Sequence, residues 1–208
     1  LVVVPTLEEA GRWTALLELM GWSQASLYPT SEGSPYEPFD PTSEITWGQL
    51  QVLSDLLGEP NAASWAIVAT ERCLQPHLPP PDVLKTKTRT LRKGDEVDLE
   101  ALGETLAQLG YERVTTIEQE GSWSRRGDIV DIFPVSSELP VRLEFFGEEL
   151  DKLREFDPAS QRSLDPVDAL RLTPTGFGPL IAEQLRETMP DGLAQLLGSE
   201  GTEQPLNG

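Results

Sequence analysis

Two stretches decide the fold: Gly121-Ser122-Trp123-Ser124-Arg125-Arg126-Gly127-Asp128-Ile129-Val130-Asp131-Ile132-Phe133-Pro134, then Arg142-Leu143-Glu144-Phe145-Phe146-Gly147-Glu148-Glu149-Leu150. Val141, Leu143 and Phe145 alternate with Arg142, Glu144 and Phe146, the period of two of a half-buried strand. Strands are expected at 113–118, 122–133, 141–146, 150–156 and 169–173. Turns fall at Glu120-Gly121, 136–140, Gly147 and Asp157-Pro158, where glycine, proline and aspartate supply turn chemistry. Asp98 can cap a helix whose Leu99, Leu102, Leu106 and Leu109 form a stripe, with Gly110 as its stop. The span 83–175 is therefore expected to be a small α+β domain, an antiparallel β-meander with one helix.

Upstream the pattern differs. Residues 1–4 read as a short buried strand. Thr6 with Glu9 three residues on is a capping box. Ala10, Trp13, Leu16, Leu17 and Met20 recur at helical spacing, with Gly21 after them. A proline-rich loop follows at 28–41. A second helix fits 44–57, with Trp47, Leu50, Leu53 and Leu57 inward and Gly58 as its end. Another buried strand fits 65–69, and Thr70 can cap a short helix through Leu74. This alternation predicts part of a parallel α/β layer over 1–82. Pro76 to Pro81 reads as a linker, its run of three prolines unsuited to a helix or central strand, and 85–93 as an extended segment. The last stretch, 176–208, is expected to start a return segment, helical at 180–187 and 193–197 around Met189-Pro190, and to end as connector.

The chain of 208 residues carries a net charge of -19, with 16 basic against 35 acidic residues. Such a surface is a poor general partner for nucleic acid. Yet all the basic residues except Arg12, Arg72 and Arg186 fall between Lys85 and Arg171. A basic patch inside an acidic protein suggests a chosen acidic partner, set against arginines that only pair with their own neighbours. No apolar run approaches a membrane span. The single cysteine, Cys73, excludes an internal disulfide and fits a reducing cytoplasm, and with His77 as the only histidine no zinc site can form. The chain lacks an initiating Met and opens inside a strand, which predicts a fragment of a longer protein.

Catalytic chemistry is hard to place. No glycine-rich phosphate loop follows the first strand, where Pro5-Thr6-Leu7 stands, and no acidic helicase motif follows the strand at 65–69. The segment is not expected to be an enzyme, and neither a cofactor nor a metal is expected in it.

The core Arg126-Gly127-Asp128-Ile129-Val130-Asp131-Ile132-Phe133-Pro134, followed by the 142–150 stretch quoted above, resembles the domain shared by the UvrB subunit of nucleotide excision repair and the bacterial transcription-repair coupling factor, over 94–174. Ser160-Gln161-Arg162-Ser163 after Phe156-Asp157 is similar to the coupling factor, as are Val2-Val3-Val4-Pro5-Thr6, Ser34-Pro35-Tyr36-Glu37 and Leu78-Pro79-Pro80-Pro81. The resemblance implies that 1–82 is a degenerate ATPase-like parallel layer. It also implies that the small domain docks the damage sensor UvrA through arginines that meet acids. Arg113 and Arg126 carry over. Ser124 stands where UvrB has a third arginine, with Arg125 beside it on the opposite strand face. Trp123 and Phe146 are either aromatic anchors next to these arginines or core residues.

In a parent of this family an ATP- and magnesium-dependent motor would lie downstream. It would translocate on double-stranded DNA, next to a domain that binds RNA polymerase. The other readings that stay open are a weak nucleic-acid-binding module, a UvrB-like excision-repair fragment, and a vestigial ATPase with residual nucleotide binding.

Overall fold

A computed structural model describes residues 1–30, 44–57, 65–74, 78 and 80–181. The proline-rich stretch at 31–41, Gly58, His77 and the helices expected beyond 181 lie outside the described residues.

The first layer is a parallel sheet of β1 (Val2–Val4), β2 (Gln24–Leu27) and β3 (Trp65–Thr70), in the order β1-β3-β2. Helix α1 (Leu7–Leu19) starts at Thr6, whose hydroxyl accepts from the Glu9 amide at 3.2 Å. Its seam is narrower than the apolar stripe predicts. Ala10 and Leu17 are buried against Val4, Ala66 and Val68. Trp13, Leu16 and Met20 remain 43%, 47% and 72% exposed. They lie to one side of the Ala10–Leu17 seam, a flank that the described residues leave uncovered. Strand β2 went unforeseen because Gln24-Ala25-Ser26-Leu27 is short and only half apolar.

Helix α2 (Glu44–Leu57) lies where expected. It buries Leu50 with Leu84 and Leu180, while Leu53 and Leu57 pack partly buried at the edge of that cluster. A 3-10 turn (Glu71–Leu74) follows β3.

The proline run does not exclude a helix. Pro81 opens α3 (Pro81–Thr86) at its first position, where proline's missing N–H costs nothing. The extended segment expected at 85–93 is therefore helix at its start and strand only in β4 (Arg89–Arg92).

Six strands make the second sheet: β5 (Glu112–Arg113), β6 (Ser122–Arg126), β7 (Ile129–Phe133), β8 (Val141–Phe146), β9 (Glu149–Phe156) and β10 (Ser163–Pro166). Their spatial order runs straight from β10 to β5, the predicted meander, with β5 alone parallel to its neighbour. The strand expected over 122–133 is a hairpin broken at Gly127-Asp128. The strand expected over 113–118 stops at Arg113, because the chain then turns under the sheet and Ile117 fills a pocket with Phe133 and Phe156. Strand β11 (Ala169–Leu172) pairs with β4.

Helix α4 (Leu99–Gln108) covers the inner face of this sheet. The Asp98 carboxylate accepts from the amides of Glu100 (2.7 Å) and Ala101 (3.2 Å). Gly110 ends the helix at φ 90°, letting Tyr111 N–H reach back to the Leu106 carbonyl. Leu102, Leu106 and Leu109 pack on Trp123, Val130, Ile132 and Leu143, closed at the side by Leu91, Leu170 and Leu172. Each fully buried leucine contributes about 1.5–3 kcal/mol of transfer free energy.

Helix α2 is tied to β11 and to the segment that follows it. The Trp47 indole donates to the Thr175 carbonyl (3.0 Å), Thr175 N–H donates to Leu109, and Arg171 reaches the Ser54 carbonyl and Asp55 carboxylate, both at 3.3 Å.

Candidate partner-docking site

The β6–β7 hairpin closes on the pair Arg126↔Ile129, with Gly127 and Asp128 as the turn. Gly127 has φ 64°, at the position glycine takes in a two-residue type II′ turn. In a meander every second turn falls at the same end, so the β8–β9 turn lies beside this one. The Phe145 amide donates to the Asp128 carbonyl at 2.9 Å. One end of the sheet thus gathers Arg125, Arg126 and Phe146, with Arg113 two residues further in, opposite Trp123.

Register then separates them by face. Arg113 pairs with Trp123, and Trp123 and Arg125 share the inner face next to α4. The Arg113 guanidinium lies over the Trp123 ring, 5.2 Å from its centroid. Trp123 itself is 6% exposed, which places it in the core rather than on the surface as an anchor. Arg125 donates through Nη1 to Glu100 Oε1 (2.7 Å) and through Nε to the Gly127 carbonyl (3.2 Å). These groups line a groove of about 670 Å³ with Gly103 and Glu104. An added Cβ on Gly103 would meet the Trp123 ring at 3.1 Å, so a side chain there would crowd the ring that α4 packs on.

Arg126 lies on the outer face with Ser124 and Ile129. Its Nη2 is 3.8 Å from Asp131 Oδ2. That carboxylate is already held by Arg142, whose Nε and Nη2 donate at 2.7 and 2.9 Å. Asp131 in turn raises the Arg142 pKa above its ordinary value, chiefly through these hydrogen bonds. Arg126, its side chain 60% exposed, makes no side-chain hydrogen bond among the described residues. Phe146 is 83% exposed, the open aromatic of the expected pair, and Ile129 beside Arg126 is a further exposed apolar residue that the sequence reading did not single out.

Among the described residues Glu118, Glu144 and Asp128, acids on or beside these strands, form no ion pair with Arg113, Arg125 or Arg126. Arg125 pairs with Glu100, and Glu144 pairs with Lys152 at 3.3 Å. The register of α4 over β6 decides this, and no local pattern announces it. Many basic residues elsewhere do pair with acidic neighbours, as in Arg12–Glu8, Lys93–Asp151 and Arg171–Asp55.

In parallel sheets nucleotides bind beyond the carboxyl ends of the strands. Here that crevice, of about 260 Å³, is lined by Pro5, Thr30, Thr70 and Arg72, and the buried Thr30 and Thr70 hydroxyls bond each other at 2.9 Å. Among the described residues no group of His, Cys, Asp and Glu is arranged to hold a metal ion, and no helix is long and apolar enough to cross a membrane.

A sheet meander capped by one helix, with arginines at one end, defines a class. Residues 90–176 match the family model of the UvrB interaction domain, and this part of the chain belongs to that family. The chain as a whole is similar to transcription-repair-coupling factors. It is 32% identical to that of Haemophilus influenzae over 173 residues, 83% of this chain and 15% of that protein. The Escherichia coli protein is 34% identical over 143 residues (69% of this chain, 12% of that protein), and the Bacillus subtilis protein 32% over 148 residues (71% and 12%). The chain therefore spans only a small part of the length of these relatives.

Proposed function

We propose that this chain is the UvrA-docking module of a transcription-repair coupling factor, acting in transcription-coupled nucleotide excision repair and non-catalytic by itself. The observation that carries the reading is the shared end of the meander. Arg126 and Phe146 are open there on the outer side, with Arg113 and Arg125 on the inner face. Arginine offers a planar fork of donors that fits a carboxylate bidentately. Arg113 lies over the Trp123 ring and makes no ion pair among the described residues, so its donors remain available. An acidic partner that reached round the hairpin tip would meet arginines on both sides of it, which fixes orientation as well as attraction. Phe146 supplies the apolar contact that a polar rim needs.

In this proposal 83–175 is the docking domain and 1–82 a degenerate ATPase-like layer that supports it. The segment 176–208 begins the return to that layer. ATP hydrolysis, DNA translocation and contact with RNA polymerase belong to other parts of the parent, and the cytoplasm is its place of work. The net charge of -19 counts against the alternative of a nucleic-acid-binding module.

Calorimetric titration of the chain into UvrA, beside an Arg113→Glu/Arg126→Glu double variant, tests the reading. Micromolar or tighter binding that the folded double variant loses is expected. Equal binding by both would move the site elsewhere, and no binding by the wild type would overturn the proposal.

A further inference from the structure

We infer that Glu100 is a built-in competitor at the docking site, holding Arg125 in the place an incoming carboxylate must take. The inference rests on the docking reading above and concerns how the same site is regulated.

The ion pair is lopsided. Arg125 belongs to a strand, its side chain is 26% exposed, and its Nε is fixed by the Gly127 carbonyl. Glu100 sits in the first turn of α4 with its side chain 85% exposed. One partner is anchored, and the other can swing into water at little cost. The pair is also incomplete. Glu100 takes Nη1 alone, and among the described residues Arg125 Nη2 has no hydrogen-bond partner. A bidentate carboxylate from outside would satisfy both terminal nitrogens, and so would displace a monodentate one.

Glu104 provides the internal comparison. It lines the same groove one helical turn on, and it makes no ion pair among the described residues. Both glutamates repel an acidic partner at long range, but only Glu100 occupies a donor fork. Glu100 therefore weakens docking in two ways, and Glu104 in one.

The test is titration of UvrA with the full chain carrying Glu100→Gln, Glu104→Gln, and each of these combined with Arg125→Ala. Matching thermal midpoints verify folding. E100Q is expected to tighten binding about two- to fivefold, the size of one exposed ion pair. E104Q should gain less than half of that, and the extra gain of E100Q should vanish once Arg125 is gone. Equal effects of E100Q and E104Q, weaker binding by E100Q, or a gain that survives R125A would each overturn the inference while leaving the docking reading in place. Failure of every form to bind overturns the docking reading and this inference with it.

Discussion

The Asp131 carboxylate is 3% exposed, and it accepts both hydrogen bonds of the Arg142 fork. A buried pair of this kind adds little over an apolar substitute, but removing one member strands the other. Arg142→Ala is therefore expected to cost about 3–5 kcal/mol in urea unfolding. Arg126→Ala, which removes a solvated side chain, should cost less than about 0.5 kcal/mol. The difference between these neighbours separates a residue that holds the sheet from one whose side chain stays open to solvent. Asp157 carries a pH signature. The Ser160 hydroxyl and then the Ala159 amide bond its carboxylate and lower its pKa below the ordinary carboxylate value. The folded pKa is depressed, so the stabilisation is present above the unfolded value and is lost as pH falls through the folded one. Asp157→Asn should flatten the acid limb of a plot of urea midpoint against pH, and an unchanged limb would refute the assignment.

At the scale of elements, helices and the strands of the meander were legible because caps and periodicity are local signals. Thr6, Asp98, Gly21 and Gly110 mark helix ends from the sequence alone. What stayed hidden depends on partners distant in sequence. Ile117 packs with Phe133 and Phe156, and Trp13, Leu16 and Met20 lie on a flank of α1 that the described residues leave uncovered. Pro81 hides a helix start, because at the first helical position its missing N–H costs nothing. The site was half legible. Residues such as Arg113 and Arg126 could be picked out, but whether two arginines share a face depends on register, and the β5–β6 pairing puts them on opposite faces.

Two predictions belong to this scale. Gly110→Ala must place a Cβ 2.4 Å from Thr175 Oγ1 at φ 90°, so it should destabilise by more than about 1 kcal/mol. Thr175→Gly should recover part of that loss in the double variant, read by urea denaturation. Leu19→Glu, on the 85% exposed flank of α1, should leave stability within about 0.5 kcal/mol of the wild type.

For the whole molecule, charge and topology point the same way. A chain at -19 with thirteen of its sixteen cations between Lys85 and Arg171 suits the proposed acidic contact better than phosphate backbones. Its affinity for UvrA should weaken as salt rises, because exposed arginines are screened over a Debye length of about 8–10 Å. Its affinity for duplex DNA should stay far weaker than that for UvrA at the same salt. The ties from Trp47 to Thr175 and from Arg171 to Asp55 join α2 to β11 and the segment after it.

Amide hydrogen exchange of the chain, with and without UvrA, tests the central claim most directly. It reads binding and location together. Docking at the hairpin tip predicts slowed exchange over 125–129 and 145–149, with α1 unchanged. Protection confined to α1 and β1, or none at saturating UvrA, would contradict it.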